Sequence, residues 1–432
     1  MPSTSRDIAR RITVFGGAQA FSVLAAVVRN KAAAFFVGAA GIGLNAVYWK
    51  VGEFISTVAA LGLPFSGIAT LSADFASGDA ARLAAGGARL RRLELLLAAV
   101  GAGVTVALAP WLSLHFDGDY SHVGAYAALS LVVAGLVVSG IELAVVKACQ
   151  QTRRLAVASV LSAVLTVAAT VPFYVRLGLG GVIWALVTCT VATALVSLWF
   201  GHRTLPFRLA AGGTWREQLR AARPMLVLGA ISLATGIVST GVELIIQDYL
   251  LAVASWTMVG LYRAGFQMSV GYVSMLFVAV ANDYYPRLAA VADDVAERNR
   301  LAARQGCVQL AFAVVAVVLF ECLVSWLLPL FFSDEFVGAI PMARWAVLGS
   351  LFYALETPLN FLPVVLDRKK HYFVLEMAGL VLMSGGAIGG YALGGLEGSG
   401  LGIALARLLN WLLLYVFCRV AYGFRYNAPK GV

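Results

Sequence analysis

The chain has 432 residues, of which 61% are hydrophobic and only 12% charged, and it carries a formal net charge of +10. An ordinary water-soluble domain has about 25% charged residues, so this composition excludes one. Five scattered cysteines without CxxC spacing and four histidines at predicted loops or helix ends leave no disulfide framework, no metal site and little basis for histidine catalysis.

Apolar runs such as 155–175, 180–201 and 308–332 approach or exceed the roughly 20 residues that cross about 30 Å of hydrocarbon as a helix. They are apolar on every face, whereas a barrel strand alternates, so the expected fold class is an all-α integral membrane protein. In chain order, hydropathy predicts about twelve spans near 12–38, 44–70, 92–114, 122–148, 155–177, 179–201, 224–248, 255–282, 306–332, 339–366, 371–393 and 398–422. The first stretch continues past Val37 with no small-residue cleavage site and reads as a retained anchor.

The connections sort by charge. With the N-terminus in the cytoplasm, 25 of the 32 basic residues fall in cytoplasmic segments, among them Arg89, Arg91, Arg92, Arg153, Arg154 and Arg298. The opposite loops hold Arg176 beside Asp117, Asp119, Asp248, Asp334, Glu335 and Glu397. This bias places both termini inside, and it explains the basic excess by topology and anionic lipid headgroups, with no nucleic acid partner. The longest cytoplasmic connections are expected over 82–92, 200–223 and 283–305.

The chain also repeats at half its length. Trp49-Lys50-Val51-Gly52 matches Tyr262-Arg263-Ala264-Gly265 at an offset of 213, and Ile141-Glu142-Leu143 matches Leu355-Glu356-Thr357 at 214. Two six-helix bundles follow, 1–205 and 224–432, joined by a cytoplasmic linker over 206–223 and related as parallel repeats.

Away from the span ends, six basic residues lie inside predicted spans: Arg29, Lys31, Lys50, Arg263, Arg344 and Arg407. Each costs roughly 2.5–3.5 kcal/mol near the bilayer centre unless it faces a wet cavity, pairs with an acid or snorkels. Acids within the spans include Glu53, Glu142, Glu243, Glu321 and Glu356. Lys50 and Arg263 occupy equivalent places about 10 Å below the outer surface, and Arg29 reaches a similar depth. Lys31, about 200° around the helix from Arg29, does not share its face. Arg29, Lys50 and Arg263, with Arg344, form a candidate cationic pocket for a pyrophosphate headgroup. Structural pairing, for example Lys50 with Glu53 one turn away, is the competing reading.

Glu53, Glu142, Glu243 and Glu356 are candidate coupling sites for a proton or a sodium ion. The alternative for Glu142 and Glu356 is pairing with Arg344 or Lys147. Pro358 and Pro363 beside Glu356, and Pro64 in the second span, are expected kink points. Gly386 and Gly390 are read as helix-packing contacts.

Gly38-Ala39-Ala40-Gly41-Ile42-Gly43, Val259-Gly260-Leu261-Tyr262-Arg263-Ala264, Tyr284-Tyr285-Pro286-Arg287-Leu288 and Asp334-Glu335-Phe336 carry a resemblance that spans nearly the whole chain. The sequence resembles the polysaccharide-transport branch of the multidrug/oligosaccharidyl-lipid/polysaccharide exporter superfamily, in particular the Wzx-type flippases of O-antigen and related lipopolysaccharide glycans. The resemblance implies a MATE-like arrangement and a flippase that turns undecaprenyl-pyrophosphate-linked oligosaccharide from the cytoplasmic to the periplasmic leaflet of the bacterial inner membrane by alternating access. The implied partners are the lipid-linked oligosaccharide, membrane lipids and a glycan polymerase complex. Lipid II flippases carry functional cations in helices 1, 2 and 8, which match Arg29, Lys50 and Arg263. The alternatives are a cation-coupled multidrug exporter of the same superfamily and a lipid II flippase, although the two extra helices of the latter are missing here.

No cofactor is expected, and no GxxxxGK[ST] fingerprint occurs. An ion gradient, the membrane potential or removal of product would then drive transport. An enzyme is not expected, because every predicted external loop is short.

Overall fold

The computed structural model describes residues 5–206, 215–274, 284–285 and 287–426. Helix is the regular structure throughout, and the described residues contain no strand. Among them, eight stretches are long and apolar enough to cross a membrane. Three of these hold an internal break and therefore two crossings each: Phe21–Ala60 at Gly38, Thr152–Thr204 at a short 3-10 turn, and Lys369–Tyr422 at Gly394 and Gly395. That makes eleven. The expected span over 255–282 is described from its start through residue 274, and residues 275–282 of it lie outside the described residues.

The chain divides into two compact units, Met1–Leu244 and Ile245–Val432. The first contains α1 (Ser5–Ala60), α2 (Leu63–Ala76), α3 (Ala80–Asp117), α4 (Val123–Ala148), α5 (Thr152–Leu177), α6 (Gly181–Thr204) and most of α7 (Trp215–Val253). The expected linker over 206–223 lies partly outside the described residues, at 207–214, and its later part belongs to α7. Within this unit α3 packs on α4, α4 on α6, and α5 on both α1 and α6.

Glycine sets the breaks in α1 and after it. Gly38 adopts φ 65°, ψ −168°, a backbone state closed to residues with a Cβ, and so separates the first two crossings. The second predicted span, 44–70, is discontinuous. It stops at Ala60, passes through Leu61 and Gly62, both with positive φ, and restarts as α2. Pro64 is the reason for the restart: it sits in the first turn of α2, where its missing N–H is an unbonded position anyway. The expected kink at Pro64 is thus a full break just before it.

The second unit contains α8 (Trp256–Phe266), continued by a π-turn over Gln267–Gly271, then α9 (Val295–Phe331), α10 (Ile340–Val365) and α11 (Lys369–Tyr422). Here α10 packs on both α9 and α11. The two halves of α11 cross through backbone contacts between Gly386 and Gly402 and between Gly390 and Gly398, so the expected packing role of Gly386 and Gly390 holds. Pro358 and Pro363 both stay inside α10.

Two expected cytoplasmic connections are corrected. Residues 82–92 are helical as the first turns of α3, and 295–305 as the first turns of α9. Hydropathy reports where lipid begins, whereas a helix begins where its first N–H groups find an acceptor. Asp79 accepts from the N–H groups of Ala81 and Arg82, and Asp294 from those of Ala296 and Glu297. The outer face of α9 shows what these helices are built to touch. Phe312, Val315, Val318, Leu319, Leu323 and Trp326 are all exposed, a stripe that requires a lipid solvent. This is a multi-pass membrane protein.

Candidate functional site

Lys50 stands in the second half of α1, and only 7% of it is exposed. Its ammonium donates to Glu53 Oε2 at 2.7 Å, one turn further along α1, and lies 2.6 Å from Glu243 Oε2 of α7. The helix pairing that brings Glu243 there is made by small residues. A methyl group added at Gly229 would lie 2.8 Å from the Leu61 carbonyl, and one added at Gly236 would lie 2.9 Å from Thr57. Gly241 lies opposite Phe54. Positions 229, 236 and 243 are seven apart and share one face of α7, which runs antiparallel to α1 past 62, 57 and 50. The sequence signals the Glu53 contact through its spacing, but the Glu243 contact depends on this crossing.

Two carboxylates therefore meet one buried ammonium, and both acids are about one-third exposed. The group is anchored yet accessible. A simple cationic surface would show the ammonium bare, and here it is already neutralised.

The other expected cations are described each within its own unit. Arg29, half-buried on the far side of the Gly38 break, lies within electrostatic reach of Tyr174 on α5. Arg263 is half-buried on α8, one turn before the π-turn, in the second unit. Arg344 of α10 reaches α9, where its Nε lies 3.5 Å from Glu321 Oε2 and its Nη2 donates to Ser325 Oγ at 3.1 Å.

Glu142 and Glu356 are buried, and their partners differ from both expected ones. Glu142 takes two hydrogen bonds from Arg91, and Glu356 takes one from Arg407 Nη1 at 3.1 Å. Arg344 and Lys147 are not those partners. Charge counting assigns Arg91 to a cytoplasmic segment between spans; it lies in the fourth turn of a helix that starts at Ala80 and is 1% exposed. Arg407 belongs to the second half of α11, and its guanidinium also covers the Tyr353 ring at 4.7 Å.

A likeness between the units appears in contacts the sequence does not show. Arg91 Nη1 donates to the Leu205 carbonyl at the end of α6 at 2.7 Å. In the second unit, Arg298 Nη2 donates to the Tyr422 carbonyl at the end of α11 at 2.8 Å, and Asn299 Nδ2 to that of Gly423 at 2.8 Å. Arg91 of α3 thus covers the carbonyl end of α6, and Arg298 of α9 that of α11, where cations are favoured.

Among the described residues, no group of three or more histidine, cysteine, aspartate or glutamate side chains is placed to hold a metal ion. The model of a family described as "polysaccharide biosynthesis protein" matches residues 90–341, more than half of the chain. The chain belongs to the polysaccharide biosynthesis protein family. This family member has no match among curated protein sequences. Among solved structures, it is similar to the inward-facing conformation of a multidrug resistance MATE family transporter of the MOP superfamily, with TM-score 0.78, 14% identity and 94% of each chain covered. It is also similar to the outward-facing conformation of such a transporter, with TM-score 0.65 and 12% identity over 96% of this chain and 95% of that one. A MATE in complex with MaD3S gives TM-score 0.66 and 13% identity over 96% of each chain. At these identities the likeness establishes a MATE-like fold for this member of the polysaccharide biosynthesis family.

Proposed function

We propose that this protein is a flippase, not an enzyme, and that it carries an undecaprenyl-pyrophosphate-linked oligosaccharide from the cytoplasmic to the periplasmic leaflet of a bacterial inner membrane. Both termini would face the cytoplasm, and the two bundles would alternate access. The family match supports a glycan-linked cargo, and the observation that carries the reading is Lys50: a buried ammonium within a membrane span, held by two carboxylates that remain partly accessible. Phosphate oxygens entering beside it would replace Glu53 and Glu243 on the ammonium, exchanging one anion for another without leaving a bare charge in the membrane. Arg29, Arg263 and Arg344 would provide further positive charge along the route. Glu53 and Glu243, once released, would take up a proton or a sodium ion, which couples the exchange to an ion gradient. Moving anionic charge outward from a negative interior gains about 2.3 kcal/mol per charge per 100 mV.

The same trio supports a second reading. Two acids against one base also suit a cationic drug, as in a cation-coupled exporter. Replacing Lys50, Arg29 and Arg263 singly with alanine, in cells lacking the native gene, separates the two. The flippase reading expects normal membrane abundance, loss of surface glycan and unchanged drug tolerance. Normal glycan from all three variants would reject it, and altered drug tolerance with intact glycan would favour the exporter.

A further inference from the structure

Glu94 lies three residues after Arg91 on α3, is 1% exposed, and its Oε2 has no hydrogen-bond partner. It is within electrostatic reach of Arg91 on its own helix and of Glu142 on α4. Arg91 turns its Nε and Nη2 edge to the two oxygens of Glu142 and its Nη1 to the Leu205 carbonyl. The surrounding core is apolar, with Leu71 from α2, Leu90 and Leu93 from α3, Ile141 and Val145 from α4, and Met225 from α7. Other charged and titratable groups stand further along these elements: Asp74 of α2 beside Arg82, Cys149 after α4, and Arg154 at the start of α5.

Glu142 thus holds the guanidinium, while Glu94, equally buried, lies within electrostatic reach of both. A buried carboxylate without compensation is among the most costly groups a protein can hold, and here an oxygen of Glu94 also lacks a donor. We propose that Glu94 and Glu142 together bind one monovalent cation, a proton or a sodium ion. A proton from solvent would make Glu94 an O–H donor to the Glu142 carboxylate, while sodium would be held by oxygens of both groups, the hard ligands it prefers. Either restores neutrality. Loss of the cation sets Glu94 in competition with Glu142 for Arg91, and because Arg91 also covers Leu205, the end of α6 loosens with it.

Cation binding here needs no glycan, so the test is independent of the cargo. Full-length protein in lipid nanodiscs is compared with Glu94→Gln in two measurements. The first is the infrared change on moving from mildly acidic to mildly alkaline sodium-free buffer; the second is the unfolding temperature in sodium chloride against choline chloride. A proton site gives a protonated-carboxyl band that disappears on alkalinisation in the wild type and is missing from Glu94→Gln. A sodium site gives a sodium-dependent rise in unfolding temperature that Glu94→Gln lacks. A wild type indifferent to both conditions, or a Glu94→Gln variant with the full wild-type response, overturns the proposal. Should Glu94→Gln not accumulate, Glu142→Gln takes its place: it leaves one carboxylate for one guanidinium, so the response must vanish, and its persistence overturns the proposal equally.

Discussion

Arg91 and Glu142 are joined edge to edge, Nε to Oε1 at 2.6 Å and Nη2 to Oε2 at 2.9 Å, although 51 residues separate them. Both are 1% exposed. This fork fixes α3 against α4 and, through the Leu205 carbonyl, against the end of α6. Buried pairs of this kind are costly to break and much less costly to replace, because the penalty falls on the charge left behind. Arg91→Ala is therefore expected to cost about 3–5 kcal/mol. Arg91→Met combined with Glu142→Leu should recover part of that loss, the remainder falling on Glu94 and the Leu205 carbonyl, as read from unfolding temperatures in detergent.

Gly201 of α6 belongs to the same place. A Cβ there would fall on the Glu142 carboxylate, whose position Arg91 fixes. Gly201→Ala should lower the amount of folded protein extracted from membranes several-fold. Gly103→Ala provides the contrast, because a Cβ at Gly103 meets nothing within 4 Å. That variant is expected at wild-type abundance, stabilised by up to about 1 kcal/mol through helix propensity.

The crossing of α1 and α7 makes a charge-reversal prediction. Lys50→Glu would gather three carboxylates at 50, 53 and 243, and glycan export should fall to background. Adding Glu243→Lys restores one cation against two acids within the same crossing, and surface glycan should return in part. A double variant no better than Lys50→Glu would show that the contact between α1 and α7 is not what positions the charge.

Cys149 yields a prediction about reactivity. Burial pushes its thiol above the ordinary range, while Arg91 and Arg154 pull the other way with smaller effect. The thiolate is the reacting form, so maleimide labelling of Cys149 should be slow in native membranes at neutral pH, quicken as pH rises, and become fast after denaturation in SDS. Arg154→Ala removes one of the two stabilising charges and should slow native labelling further. Mass spectrometry of the peptide that spans α4 and α5 reads out each case.

Much of the architecture was legible because membrane insertion sums a local quantity. Each run of apolar residues reports its own transfer free energy, so spans such as 122–148, 155–177 and 339–366 are found close to α4, α5 and α10. The ends of α3 and α9 were not legible in this way. Their first turns are polar, and what starts them is a single aspartate side chain, Asp79 or Asp294, bonding to backbone N–H groups. A charge count consequently assigns Arg91 to a cytoplasmic connection, and the local sequence does not show that Glu94 is buried near it. The spacing of Lys50 and Glu53 was readable because one helical turn joins them.

What the sequence determined alone was the solvent and the approximate path of the chain: hydrocarbon for most of its length, about twelve crossings, and polar residues too costly to be without a role. The tertiary structure decided which charges meet. Helix periodicity places a residue on a face but says nothing about the face opposite. Close approach at Gly229 and Gly236, and the seat that Gly201 leaves for a carboxylate, bring Glu243 to Lys50 and Glu142 to Arg91. A pairing energy exists only once two distant segments stand within a few ångströms, and packing sets that distance.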